Sequence, residues 1–131
     1  MPVDPQRLAP CALFTDFAAP DVAAIAAKME ERIAAPGERL MREGANGYSF
    51  FVVLSGEVEV TRAGASVVTL VTGDFFGEAA VLDNARRNAT VTAVGETVVG
   101  ELFGADLAKL DADSPEIHAR LRGAIEARRP A

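Results

Sequence analysis

The sequence predicts a mainly β fold, an antiparallel jelly roll with α-helices flanking it at both ends. Two observations carry that expectation. Short runs of β-branched and aromatic residues recur at close, fairly regular spacing between residues 48 and 102, and glycine turns separate them. The two ends carry helical patterns instead.

Residues 1–19 are rich in Pro and Ala, with short apolar pieces at Leu13-Phe14 and Phe17, and read as an irregular or partly helical lead-in. Pro20-Asp21 then opens a helix over about 20–28. Proline suits a first helical turn, and aspartate suits its positive end. Val22, Ile25 and Met29 follow at roughly helical spacing. Glu31-Arg32-Ile33 leads to a turn at Pro36-Gly37, and Arg39-Leu40-Met41-Arg42 precedes the punctuation of Gly44 and Asn46-Gly47.

Tyr48 to Leu54 is a continuous apolar run, short enough for a buried strand. Glu57 to Thr61 alternates, which puts Val58 and Val60 on one face and Glu57 and Glu59 on the other. Ser66 to Val71 is a further strand, ended by Gly73-Asp74. Thr90 to Val94 and Thr97 to Leu102 form two more around Gly95-Glu96. Ala105 to Leu110 reads as a short helix. Ser114-Pro115-Glu116 has the form of a helix start, a capping residue followed by proline. Ile117, Leu121 and Ile125 then repeat every four residues as one apolar stripe. Arg120, Arg122, Arg128 and Arg129 gather toward the C-terminus, where a helix favours cations. There is no internal repeat, and 131 residues fit one domain over 1–131.

Half of the 131 residues are hydrophobic and 24% are charged, an ordinary globular composition able to bury a core. No apolar run approaches the roughly 20 residues of a membrane-spanning helix. MPVDPQRLAP has neither a basic start nor an apolar core, so no secretion signal is expected. The single cysteine, Cys11, cannot close an internal disulfide and reads as a free thiol in a reducing cytoplasm. The net charge of −6 argues against nucleic acid as a partner. An anionic ligand would have to be held by a local device rather than by a general positive field.

One irregular stretch offers such a device. Phe76-Gly77-Glu78 enters a helix-like piece, EAAVL. The first N–H groups of a helix have no partner inside it and point outward as anion donors. Gly77 lets a ligand approach the backbone closely. Arg87, nine residues after Glu78, carries a guanidinium able to bind phosphate bidentately. A nearby carboxylate can accept from ribose hydroxyls. The bland alternative is a structural Glu78–Arg87 ion pair with no ligand.

This stretch resembles the phosphate-binding cassette of cyclic-nucleotide-binding domains. That pattern reads F-G-E, eight residues, then R-x-A-T. The sequence supplies Phe76-Gly77-Glu78, eight residues, then Arg87-Asn88-Ala89-Thr90. Pro36-Gly37-Glu38, Arg42-Glu43-Gly44, Leu54-Ser55-Gly56-Glu57-Val58 and Gly73-Asp74 fall where the family has its turn glycines. The resemblance covers about 13–125, taken as the core of the domain. The resemblance implies a cyclic-nucleotide receptor in the cytoplasm, with cAMP, or alternatively cGMP, as ligand. It implies no cofactor, catalytic residue or metal. Glu78 would take the ribose 2′-hydroxyl and Arg87 the cyclic phosphate. Backbone N–H groups around Gly77, Glu78 and Ala79 would complete the phosphate site. Asn88 would touch the ligand, Ala89 would line the pocket, and Val71 and the 48–51 region would form an apolar wall. Closure of the cassette would shift the end helices and bias a homodimer or an effector protein.

The chain departs from the family at Arg86, where proline is common. That departure reads as a solvated charge or an auxiliary phosphate contact. Two other classes compete with the receptor. One is a roll that has lost its ligand and serves as a protein-interaction module. The other is a small metal-dependent cupin-like enzyme, for which one histidine, His118, and one cysteine offer too few ligands. No nucleophilic triad, G-x-S-x-G or P-loop is present.

Overall fold

The computed structural model describes residues 1–47, 49–78, 82 and 86–128. In chain order the elements are α1 (Pro5–Leu8), a 3-10 turn (Ala12–Phe14), α2 (Ala19–Ala27), β1 (Glu30–Ala34), β2 (Arg39–Met41), β3 (Ser49–Ser55), β4 (Glu57–Arg62), β5 (Ala65–Val71), β6 (Phe75–Phe76), β7 (Thr90–Ala93), β8 (Thr97–Phe103), α3 (Gly104–Asp113) and α4 (Pro115–Ala127). The strands form two four-stranded antiparallel sheets, ordered β1-β8-β3-β6 and β2-β7-β4-β5. This is the expected mainly β roll with helices at both ends.

The two kinds of strand pattern have a direct cause. β3 is apolar from Phe50 to Leu54 because both of its faces are covered. Phe50, Val52 and Leu54 join a core shared with the helices, with Leu13, Phe14, Ile25, Leu110, Leu121 and Ile125. Phe51 and Val53 face the opposite way, into the space between the sheets, with Met41, Val58, Val60, Phe76 and Val91. β4 faces the interior on one side only, so Val58 and Val60 are buried while Glu57 is exposed. Completely burying side chains such as Phe50 and Phe51 is worth about 1.5–3 kcal/mol each.

Sequence and structure part at three places. β1, β2 and β6 were not expected as strands: they are charged or only two residues long. They exist because β8, β7 and β3 supply a partner edge. Ser114 occupies the N-cap of α4, but its side chain makes no capping hydrogen bond. Two of the arginines expected to complement the end of α4 are engaged elsewhere, and Arg129 lies outside the described residues. Arg120 pairs with Asp21 at the start of α2, and Arg122 donates to the Leu82 carbonyl at 3.0 Å. Leu121 and Ile125 are buried against the roll and its helices, as the apolar stripe predicts. No described helix is long and apolar enough to cross a membrane.

Candidate functional site

The loop after β6 and the loop before β7 meet at one end of the roll. Gly77 follows β6 with φ +84°, a conformation that side-chain-bearing residues adopt only at a cost. A Cβ there would lie 2.8 Å from the Ser49 carbonyl oxygen and 3.0 Å from Arg87 Nη1. Glycine is therefore required twice, by its conformation and by the close approach of its neighbours.

Arg87 is fixed through its backbone. Its N–H donates to the Ala45 carbonyl at 2.9 Å, and its carbonyl accepts from Gly44 N–H at 2.8 Å. Arg86 donates to the Gly44 carbonyl at 3.0 Å, which gives this exposed cation a structural partner. Glu43 N–H donates to Thr90 Oγ1 at 3.0 Å and braces the same corner. The 42–47 turn thus clamps the chain on which Arg87 is carried.

The Arg87 guanidinium is buried, with 7% of the residue exposed. Nη1 donates to the Gly77 carbonyl at 3.1 Å, and the guanidinium lies 5.9 Å from the Phe51 ring centroid. A Cβ on Gly47 would sit 2.1 Å from Nε, so the guanidinium packs directly on that glycine. No carboxylate of the described residues pairs with Arg87 within 4 Å. Burial pushes its pKa down, and the fields of Glu101 and Glu78 oppose that without cancelling it. A buried cation compensated mainly by a carbonyl and an aromatic face is short of negative charge.

The site residues predicted from sequence divide between two hollows. A cavity of about 340 Å³ is lined by Phe76, Gly77, Glu78, Asn88 and Ala89, with Val60, Arg62, Val67 and Val68 on the strand side. Arg87 is not on that lining. It borders a shallower hollow of about 270 Å³ with Arg39, Arg42 and Gly47. Ala79 and Tyr48 lie outside the described residues. The apolar wall comes from Val67, Val68 and Leu70, and Val71 is not part of it. Among the described residues no group of three or more His, Cys, Asp or Glu is placed to hold a metal.

Three contributors escaped the sequence reading. Glu101 is a buried carboxylate on β8, 3.6 Å from Arg32 and felt by Arg87. A charge inside the apolar run TVVGELF is the signal that marks it. Gly47, read as turn punctuation, is where the guanidinium rests. Arg62, exposed at the end of β4, lies on the lining of the cavity.

The family model described as the cyclic nucleotide-binding domain matches residues 31–114. The chain is 35% identical over 119 residues to a Rhodopseudomonas palustris protein named "Putative potassium channel protein", covering 88% of this chain and 29% of that one. It is 42% identical over 80 residues to a cAMP-dependent protein kinase regulatory subunit of Yarrowia lipolytica, covering 60% and 21%. The chain thus spans under a third of the length of these curated relatives. The crystal structure of the Thermus thermophilus catabolite activator protein superposes with a TM-score of 0.78 at 30% identity, covering 89% of this chain and 57% of that one.

Proposed function

The chain belongs to the cyclic nucleotide-binding domain family, and from that premise we propose that it is a receptor for a 3′,5′-cyclic nucleotide, cAMP first, and not a catalyst. The observation that carries this reading is Arg87, buried beside Gly77 and short of negative charge. A cyclic phosphate at Gly77 would supply that charge. The guanidinium would exchange the Gly77 carbonyl for phosphate oxygens and reach past Gly77 to do so. Glu78, on the wall of the 340 Å³ cavity, would accept from the ribose hydroxyl. Sites for small ligands run from about 300 to 1,000 Å³, so the cavity is of adequate size. The kinase relatives, named for their cAMP dependence, support adenine as the first base to test.

The proposed output is a shift of the terminal helices that biases an effector in the cytoplasm, or a second copy of the domain. The contact between Arg122 of α4 and the Leu82 carbonyl supports it, because Leu82 follows Glu78 closely in the chain. One observation favours the ligand-free module: Arg87 already has a carbonyl and an aromatic partner and does not line the larger cavity.

Calorimetric titration with cAMP separates the two readings. The wild-type protein should bind, and Arg87→Ala should weaken binding by roughly 10- to 100-fold or more while circular dichroism stays native. The estimate is the worth of one or more charge-assisted hydrogen bonds. Equal affinity in wild type and variant would defeat the assignment of Arg87. No binding of cAMP or cGMP at millimolar concentration would favour the interaction module.

A further inference from the structure

We propose that Glu101 restrains the affinity of the site: it is a fixed negative charge inside the roll that opposes the incoming phosphate and holds back Arg87, an inference that rests on the receptor reading above. On β8, Val99 faces the space between the sheets, and Glu101, two residues on, takes the same face. Its partner across the β3–β8 pair is Phe51, which belongs to that interior and whose ring centroid lies 5.9 Å from the Arg87 guanidinium. Phe76 pairs with Phe51 from the other side, and Gly77 follows it. Three neighbouring strands thus place Glu101, Phe51 and the entry to the phosphate loop in one row.

The carboxylate is buried and only partly neutralised. No more than 7% of Glu101 is exposed. Arg32 Nη1 lies 3.6 Å from it, beyond ordinary hydrogen-bond range. The same guanidinium donates to Glu38 at 3.2 Å instead. The charge left on Glu101 reaches Arg87: burial pushes the Arg87 pKa down, and of the two fields that oppose this, that of Glu101 is larger than that of Glu78. Neither Glu101 nor Arg32 lines the 340 Å³ cavity, so Glu101 is a positioning residue and not a ligand contact.

The direction of the effect follows from the charges in each state. An arginine stays protonated in proteins, so Glu101 is not needed to keep Arg87 charged. Without ligand, Glu101 attracts Arg87. With a cyclic phosphate at Gly77, Glu101 repels the phosphate, and any movement of Arg87 toward it weakens the attraction to Glu101. Both changes oppose binding, and inside the roll they are screened less than surface charges are. Arg32 acts in the other direction, because it offsets part of the Glu101 charge.

The test is titration of wild type, Glu101→Gln, Glu101→Asp and Arg32→Gln with cAMP and cGMP, beside urea unfolding of each. Glu101→Gln should bind cAMP roughly three- to tenfold more tightly than wild type. Its unfolding midpoint should nevertheless fall, because Arg87 and Arg32 lose a counter-charge. A mere strut would lose affinity and stability together. Glu101→Asp keeps the charge and should stay within about threefold of wild type. Arg32→Gln, at a half-exposed position, should weaken binding about two- to fivefold, and it decides the matter if Glu101→Gln folds poorly. Unchanged or weaker binding in Glu101→Gln, equal tightening in Glu101→Asp, or tighter binding in Arg32→Gln would overturn the proposal. A wild type that binds neither nucleotide defeats the receptor reading and this proposal with it. A wild type that binds, with no tightening in Glu101→Gln, defeats this proposal alone.

Discussion

Gly47 and Gly77 lie on either side of the Arg87 guanidinium and constrain it differently. At Gly47 the obstacle to a side chain is Arg87 itself, with Nε 2.1 Å from a Cβ. The far end of an arginine can move, so Gly47→Ala should displace the guanidinium and leave most of the stability intact. At Gly77 the obstacle includes backbone, the Ser49 carbonyl at 2.8 Å, and φ is +84°. Gly77→Ala should therefore cost about 1–3 kcal/mol of stability as well as ligand affinity. Urea unfolding beside calorimetric titration reads both quantities. A Gly47→Ala protein that binds cAMP as tightly as wild type would show that the guanidinium position does not matter to binding. A Gly77→Ala protein with an unchanged unfolding midpoint would show that the strain is relieved nearby.

Elements decide how any event at the site travels. α4 is tied to the roll by the burial of Leu121 and Ile125, and Leu82 belongs to the same buried cluster. Arg122 adds a directional link, donating to the Leu82 carbonyl, and it lies 3.7 Å from Glu126 on its own helix. The surface pairs Arg120–Asp21 and Lys28–Asp113 hold α3 and α4 to α2, but exposed pairs are worth at most about 1 kcal/mol. Arg122→Ala should lower stability by about 0.5–1.5 kcal/mol and change cAMP affinity several-fold. Chemical denaturation and titration on the same preparation check it. A stability loss with affinity unchanged would show that α4 packs on the segment without sensing it.

The same scale explains what was legible beforehand. β3, β4, β5, β7 and β8 announce themselves because β-branched and aromatic runs fit a pleated, buried surface. β1 (EERIA) carries three charges in five residues and is a strand only because β8 pairs along its whole length. The candidate site divides likewise. Phe76, Gly77 and Glu78, and Arg87, Asn88 and Ala89, could be read because each set is contiguous in the chain. Glu101 sits opposite Phe51 only through the β8–β3 register, and the 44–45 turn meets Arg87 only through loop hydrogen bonds. Pairings made by the whole fold leave no spacing signal in the sequence.

For the whole molecule, the proposed anion site lies in a chain of net charge −6. Screening at physiological salt confines charge effects to about 8 Å. A distant surplus of carboxylates then matters less than the arginines near Gly77, and Arg87 is the one removed from water. Binding to the native state alone stabilises it by mass action. At a free ligand concentration of 100 times Kd the gain is about 2.7 kcal/mol. For a domain of this size that corresponds to a rise in melting temperature on the order of 10 °C. Differential scanning calorimetry with increasing cAMP should show a melting temperature that climbs with the logarithm of concentration in wild type. In Arg87→Ala the climb should be displaced to higher concentrations, leaving a rise of about 1–5 °C where wild type gains about 10 °C. An identical climb in both proteins would mean that the nucleotide stabilises the roll through contacts other than Arg87. The local charge deficit would then be a property of the fold rather than of its ligand.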